Sequence, residues 1–188
     1  MKQAVVSAVI AAGVCCSASA FAQMRDPGAS GAYAGASIGQ SKFRDACAGF
    51  SGSCDDKDTA WRLFGGYQMN RNFGAEVGYA DFGKAEASNT LGRSSVDANA
   101  LDLVAIGSLP IIDRLSAYGK LGVYHGTLKS GGTDHSNNDL TFGLGAQYDL
   151  LRNVGLRTEW QRYKDMGGGD FGKSDIDVLN VGLLYRFQ

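Results

Sequence analysis

The chain of 188 residues has no apolar run long enough to cross a membrane as a helix. Beyond the N-terminal segment no stretch approaches ~18 consecutive apolar residues. That excludes a helical membrane protein but not a barrel, whose strands need only about ten residues of alternating polarity. Excess positive charge is also missing. There are 18 Lys and Arg against 19 Asp and Glu, with no basic tail or stripe, which argues against a nucleic-acid partner. Proline is scarce, with two residues, while glycine is abundant at 27. That is about twice the usual ~7 % glycine. High glycine with little proline fits neither collagen nor a linker. It fits many strands that pack backbone closely on one side.

Residues 1–22, MKQAVVSAVIAAGVCCSASAFA, read as a secretory signal. Lys2 precedes an apolar run from Ala4 to Val14, and Ala20-Phe21-Ala22 fits a small-residue cleavage site. Val14 and Cys15 stand where lipid attachment to Cys15 or Cys16 would want Gly or Ala, which argues against a lipoprotein. Cleavage would leave residues 23–188 as one domain with a net charge of −2, once Lys2 is removed from a chain of −1. The remaining cysteines, Cys47 and Cys54, are expected to form a disulfide across a loop in an exported protein. Two free thiols are the alternative. No neighbouring Cys or His completes a metal set.

Period-2 alternation recurs eight times after residue 30. The segments lie near 31–41, 58–70, 73–87, 96–109, 115–129, 138–150, 154–165 and 175–187. The third sets Phe73, Ala75, Val77 and Tyr79 against Gly74, Glu76, Gly78 and Ala80. The seventh sets Leu156, Thr158 and Trp160 against Arg157, Glu159 and Gln161. Short connections at 70–72, 110–114 and 151–153 alternate with longer polar ones near 44–57, 88–95, 130–137 and 166–174. The expected fold class is all-β: an eight-stranded antiparallel up-and-down transmembrane barrel, short turns facing the periplasm and long loops facing outward. A soluble lipocalin-like barrel would bury the apolar face instead. Residue size favours the membrane reading. Trp61, Tyr67, Tyr79, Tyr148, Trp160, Tyr185 and Phe187 suit an aromatic girdle, and the opposite faces carry Gly, Ser and isolated long charges.

Those isolated charges predict an interior polar network. Buried charges persist when paired and hydrogen-bonded. Glu76 is expected to pair with Arg157, with Lys120, Glu159 and Arg62 nearby, and inward glycines leave room for their long side chains. An eight-stranded lumen is just wide enough for side chains to fill it, so a plugged barrel is expected.

At this point the sequence resembles the transmembrane domain of the OmpA family. FGGYQMNRNFGAEVGYADFG is similar to that family's second hairpin, and LPIIDRLSAYGKLGV, LRTEWQR and the closing LYRF resemble later strands. The resemblance implies a barrel of the bacterial outer membrane with a charged interior gate. Glu76 matches the gate's acidic member and Arg157 its basic partner. The family's competing ion pair would fall at Ile106 and Gln147, neither of which is charged, so a permanently closed pair is expected here. The periplasmic peptidoglycan-binding domain of many relatives is not expected. The terminal aromatic of the family's assembly signal is Phe187, here followed by Gln188.

Enzyme chemistry has little to stand on. His135 sits in TDHSNND beside Ser136, whereas a barrel lipid deacylase would use His and Ser two apart on one strand face. His125 has no evident partner, and GGGDFGK at 167–173 lacks the Ser/Thr of a phosphate loop. The expected role is structural and interactive, without catalytic residues, metal or cofactor. Expected partners are outer-membrane lipids and lipopolysaccharide, the barrel-assembly machinery, and an external ligand met by the loops. A narrow, low-conductance pore and a lipid-modifying enzyme are the alternatives.

Overall fold

The computed structural model describes residues 30–44, 53–89, 92–130, 133–167 and 173–187. The strands are β1 (Gly31–Phe43), β2 (Ser53–Asp55), β3 (Lys57–Gln68), β4 (Phe73–Asn89), β5 (Gly92–Ile112), β6 (Leu115–Ser130), β7 (Thr133–Asp149), β8 (Val154–Gly167) and β9 (Lys173–Arg186). β2 is a three-residue piece that continues the β3 side of the ladder along β4. The eight long strands pair antiparallel with their neighbours, and β1 closes on β9. The signal-peptide reading and Cys47 lie outside the described residues. So does the side chain of Cys54, although its backbone belongs to β2.

Register fixes the shape. Starting at Tyr33, successive cross-strand partners are Gly66, Glu76, Val104, Gly122, Thr141, Tyr163 and Ile176. Ile176 faces Phe43, so one circuit returns to β1 ten residues above its start. With a strand rise of ~3.3 Å and a spacing of ~4.8 Å, a ten-residue stagger over eight strands tilts them by about 40°. That lies inside the range of closed barrels.

The apolar face is outside. Ile38, Leu63, Val77, Leu103, Leu121, Leu144, Leu179 and Val181 all stand at about half exposure or more. A contiguous band of this kind has no place in water but matches a bilayer. Tyr67, Tyr148, Tyr185 and Phe187 are exposed near the short turns, while Trp61 and Tyr79 are exposed further up and touch at 5.7 Å. Trp160 is half-buried on the same face, packed against Phe142 at 5.9 Å.

The turns follow local chemistry. Asn70 Oδ1 accepts the Asn72 and Phe73 amides at 2.9 and 2.8 Å, an Asx-type lock on the short β3–β4 turn. At the other end β4 carries a bulge between Asp81 and Lys84, where Gly83 takes φ +72° and donates to Asp81 Oδ1. β8 bulges between Tyr163 and Met166. Bulges of this kind are common at barrel rims.

Two expectations are corrected. Residues 88–95 and 130–137 are largely strand: β4 runs to Asn89, β5 starts at Gly92, β6 ends at Ser130 and β7 starts at Thr133. Their polar composition reads as loop, but a two-stranded arm in water needs only its ladder, and the β6–β7 register runs unbroken to Ser130↔Thr133. His135 therefore lies in β7, its backbone opposite Leu128. His125 also has a partner: its Nδ1 lies 2.8 Å from Asn138 Oδ1 on the outer surface.

The outward face makes a direct test. Leu103→Arg, in the middle of the apolar band, should cost about 2–4 kcal/mol in urea unfolding from lipid vesicles. An unchanged midpoint would put that face in water.

Candidate functional site

The lumen is stacked in layers. Tyr33, Phe64 and Leu184 pack together, as do Val104, Ile106 and Tyr118. Towards the bulged ends lies a larger apolar cluster that includes Phe43, Phe82, Tyr124, Tyr163, Met166, Ile176 and Val178. Its rings interlock edge-on, Phe82 to Tyr163 at 4.7 Å and Tyr124 to Tyr163 at 5.2 Å. The charges sit between these layers.

Glu76 projects inward from β4 and is 1 % exposed. Its Oε1 accepts from Arg62 Nη1 at 2.7 Å and Lys120 Nζ at 2.8 Å. Its Oε2 accepts from Arg157 Nη1 at 2.7 Å and the Tyr33 hydroxyl at 3.0 Å. Four donors fill the roughly four acceptor sites a carboxylate offers. Lys120 Nζ also contacts Glu159 Oε2 at 2.5 Å, which accepts from Tyr118 at 2.8 Å. Arg62 turns its other edge to Asp102, Nε to Oδ2 at 3.0 Å and Nη2 to Oδ1 at 2.6 Å. Tyr163 donates to the same Asp102 Oδ2 at 2.8 Å. Arg157 Nε donates to Gln147 Oε1 at 2.9 Å. Arg62, Lys120 and Arg157 thus face Glu76, Glu159 and Asp102, and the cluster is electrically neutral.

One device recurs in this wall. Tyr33 on β1 crosses Gly66 on β3 to reach Glu76 on β4, and Tyr33–Gly66–Glu76 are successive cross-strand partners. Tyr118 crosses Gly145 to reach Glu159, again three successive partners. Arg62 crosses Gly78, which stands directly opposite Asp102. A methyl at Gly145 would stand 2.5 Å from the Tyr118 ring, and one at Gly78 would collide with the Arg62 guanidinium. Glycine is required because a long donor lies flat on the intervening strand. That is why a lone carboxylate shares its face with glycines.

Aromatic faces add to the setting. Arg157 lies 5.1, 5.3 and 5.0 Å from the ring centres of Tyr33, Phe64 and Tyr118. Arg62 and Lys120 approach Phe64 at 5.2 and 5.7 Å. At this range the rings attract cations while keeping water away.

The structure places Glu76, Arg157, Lys120, Glu159 and Arg62 in one contact cluster. Alternation did not single out Asp102, Tyr33, Tyr118, Tyr163 or Gln147. Asp102 has the inward parity that could have marked it. The three tyrosines depend on register. Ile106 is buried against Val104 and Tyr118, and Gln147 holds Arg157 as a neutral acceptor, so neither supplies a competing charge. Between Arg62, Gln161 and Asn180 lies a cavity of about 10 Å³, room for a single water. Gln161 Nε2 donates to Thr141 at 2.9 Å, while its buried Oε1 has no protein partner.

Geometry ranks the substitutions. Glu76→Ala strands three cations against two acids, and should cost about 3–5 kcal/mol in unfolding from vesicles. Arg157→Ala should cost less, because Glu76 keeps Arg62 and Lys120. Equal or negligible costs would mean the charges are not coupled through Glu76.

Comparison with known proteins places the chain. The family model described as OmpA-like transmembrane domain matches residues 27–188. Outer membrane protein A of Salmonella typhi is 30 % identical over 169 residues, covering 82 % of this chain and 48 % of that protein. Its counterpart from Klebsiella pneumoniae is 29 % identical over 175 residues, covering 82 % and 50 %. The chain therefore spans about half the length of the curated relatives it matches. Among solved structures, Neisserial surface protein A superposes with a TM-score of 0.61 at 18 % identity, covering 83 % of this chain and 97 % of that one. The N-terminal β-barrel domain of Pseudomonas aeruginosa OprF does so with 0.55 at 15 % identity, covering 85 % and 99 %. Ail of Yersinia pestis gives 0.52 at 20 % identity, covering 85 % and 99 %. These likenesses are of fold. With an outward apolar band, a closed eight-stranded ladder and a match over nearly its whole length, the chain is an outer-membrane β-barrel that belongs to the OmpA-like transmembrane domain family.

Proposed function

We propose that this barrel is a closed membrane anchor: it strengthens the envelope and holds its outer hairpins at the cell surface, without catalysis and without conduction. The observation that carries the reading is the filled lumen. A neutral six-charge network and an apolar aromatic layer occupy it in series, and the cavity beside them has a volume of about 10 Å³. An ion entering would have to break contacts of 2.6–2.8 Å in a setting where unpaired charge is costly. The long outer arms formed by β4–β5 and β6–β7 would present a ligand-binding surface, and the assembly machinery would be met during insertion. A crystal structure of Ail carries a heparin analogue, sucrose octasulfate, so external ligands are known for a barrel of this shape.

The experiment is single-channel recording of the refolded chain in planar bilayers. No resolved steps are expected from the native protein. Discrete steps altered by Glu76→Ala would establish the narrow-pore reading instead. The Cys47–Cys54 bridge is a separate proposal. Thiol labelling of unreduced, denatured protein should modify neither cysteine, and labelling of both would rule it out.

A further inference from the structure

Each short turn carries one arginine at its tip. Arg71 lies between β3 and β4, Arg114 between β5 and β6, and Arg152 between β7 and β8, and all three are exposed. Backbone bonds fix the tips. The Met69 and Asn70 amides donate to the Phe73 carbonyl at 3.0 and 3.2 Å. Ile112 pairs with Leu115 around Asp113-Arg114, and the Arg114 carbonyl accepts the Asp149 amide at 2.8 Å. Leu151 and Val154 exchange backbone bonds around Arg152-Asn153. Asn70 and Asn72 use their side chains within this frame, Asn72 Nδ2 donating to the Ser108 carbonyl at 3.0 Å. The guanidinia do not. Among the described residues none of the three has a hydrogen-bond or ion-pair partner.

The acids of this rim do not neutralise them. Asp149 is engaged by Arg186 Nη2 at 2.7 Å and by Gln147 Nε2 at 3.0 Å. Among the described residues of the turns, Asp113 is then the one carboxylate beside three arginines, three charges less one. The same tips are apolar. Met69, Phe73, Ile111, Ile112 and Leu151 flank the arginines and are each more than half exposed. A surface that is apolar and cationic at once suits the level where acyl chains give way to headgroups. Exposed Tyr67, Tyr148 and Tyr185 mark that level from the barrel side.

We propose that this rim is a binding surface for anionic phospholipid of the leaflet facing the periplasm, one headgroup phosphate on each of Arg71, Arg114 and Arg152. The inference rests on the barrel spanning the outer membrane with its short turns inward, and is independent of whether the lumen is closed. Spacing favours a leaflet over a soluble anion. Successive arginines are two strands apart, ~12 Å round the rim for strands ~4.8 Å apart and tilted by ~40°. One phosphate cannot bridge that distance, whereas neighbouring headgroups supply one to each turn. A soluble acidic partner would answer the charge and leave the apolar flanks in water. Arginine stays charged and grips phosphate through paired donors, so each turn holds its lipid by geometry as well as by charge.

Native mass spectrometry of the refolded full chain in neutral detergent, titrated with phosphatidylglycerol or phosphatidylcholine, tests this. Phosphatidylglycerol should be retained in preference. Each of Arg71→Gln, Arg114→Gln and Arg152→Gln should weaken its binding roughly five-fold, about one surface attraction lost per arginine. The triple variant should lose most of the preference, and Arg→Lys at the three positions should keep part of it. Heat-modifiable gel migration checks that each variant is folded. Unchanged phosphatidylglycerol affinity in the triple glutamine variant would overturn the surface, as would equal retention of both lipids by the native chain. Binding of polyglutamate that the triple variant loses, with its lipid preference intact, would assign the arginines to a soluble acidic partner instead.

Discussion

In hydrocarbon a backbone N–H or C=O has no partner except another backbone group, and everything in this barrel follows from meeting that demand. Eight strands satisfy it by closing the ladder between β1 and β9. The ten-residue stagger of that closure sets the tilt, the width of the lumen and the identity of each side chain's neighbours. Packing inside is therefore a consequence of ladder register. A charge on β4 meets charges on β3, β6 and β8 because the stagger brings their rows to one level.

Given a lumen of that width, the interior has two ways to be filled, and this chain uses both. Apolar rings fill it near the bulges, where Phe82, Tyr124 and Tyr163 interlock. Paired charges fill it below. The pairing works because glycines lower the wall at chosen places, so that Tyr33, Arg62 and Tyr118 each reach a carboxylate beyond the neighbouring strand. Glu76 accepts from four donors, and loss of one leaves it held by the rest. A network so redundant suits a plug better than a switch, and neither Ile106 nor Gln147 adds a charge to it.

Alternation made the eight strands and their two faces legible, because a strand between lipid and lumen must change polarity at every residue. Glu76 and Arg157 were legible as inward charges in mid-strand. Asp102 has the same parity, but only register shows it within reach of Arg62. The tyrosines are out of sight for the same reason: alternation says which way Tyr33, Tyr118 and Tyr163 point, not which row they occupy. Residues 130–137 misled through composition. Ser, Asp and Asn suit loops, yet the β6–β7 ladder continues through them to Ser130↔Thr133.

The glycine crossings bear on how the barrel finds its shape. Each joins three adjacent strands through a donor, a bare backbone and an acceptor. A slip of one residue in any ladder would turn one of these polar side chains into the lipid and put a leucine in the lumen, at roughly 2–4 kcal/mol where the side chain is Arg62 near mid-bilayer and less where it is a carboxylate. Three such triplets span β1–β3–β4, β3–β4–β5 and β6–β7–β8. Together they act as internal alignment marks, so a chain that has inserted with the wrong stagger has nowhere stable to stop.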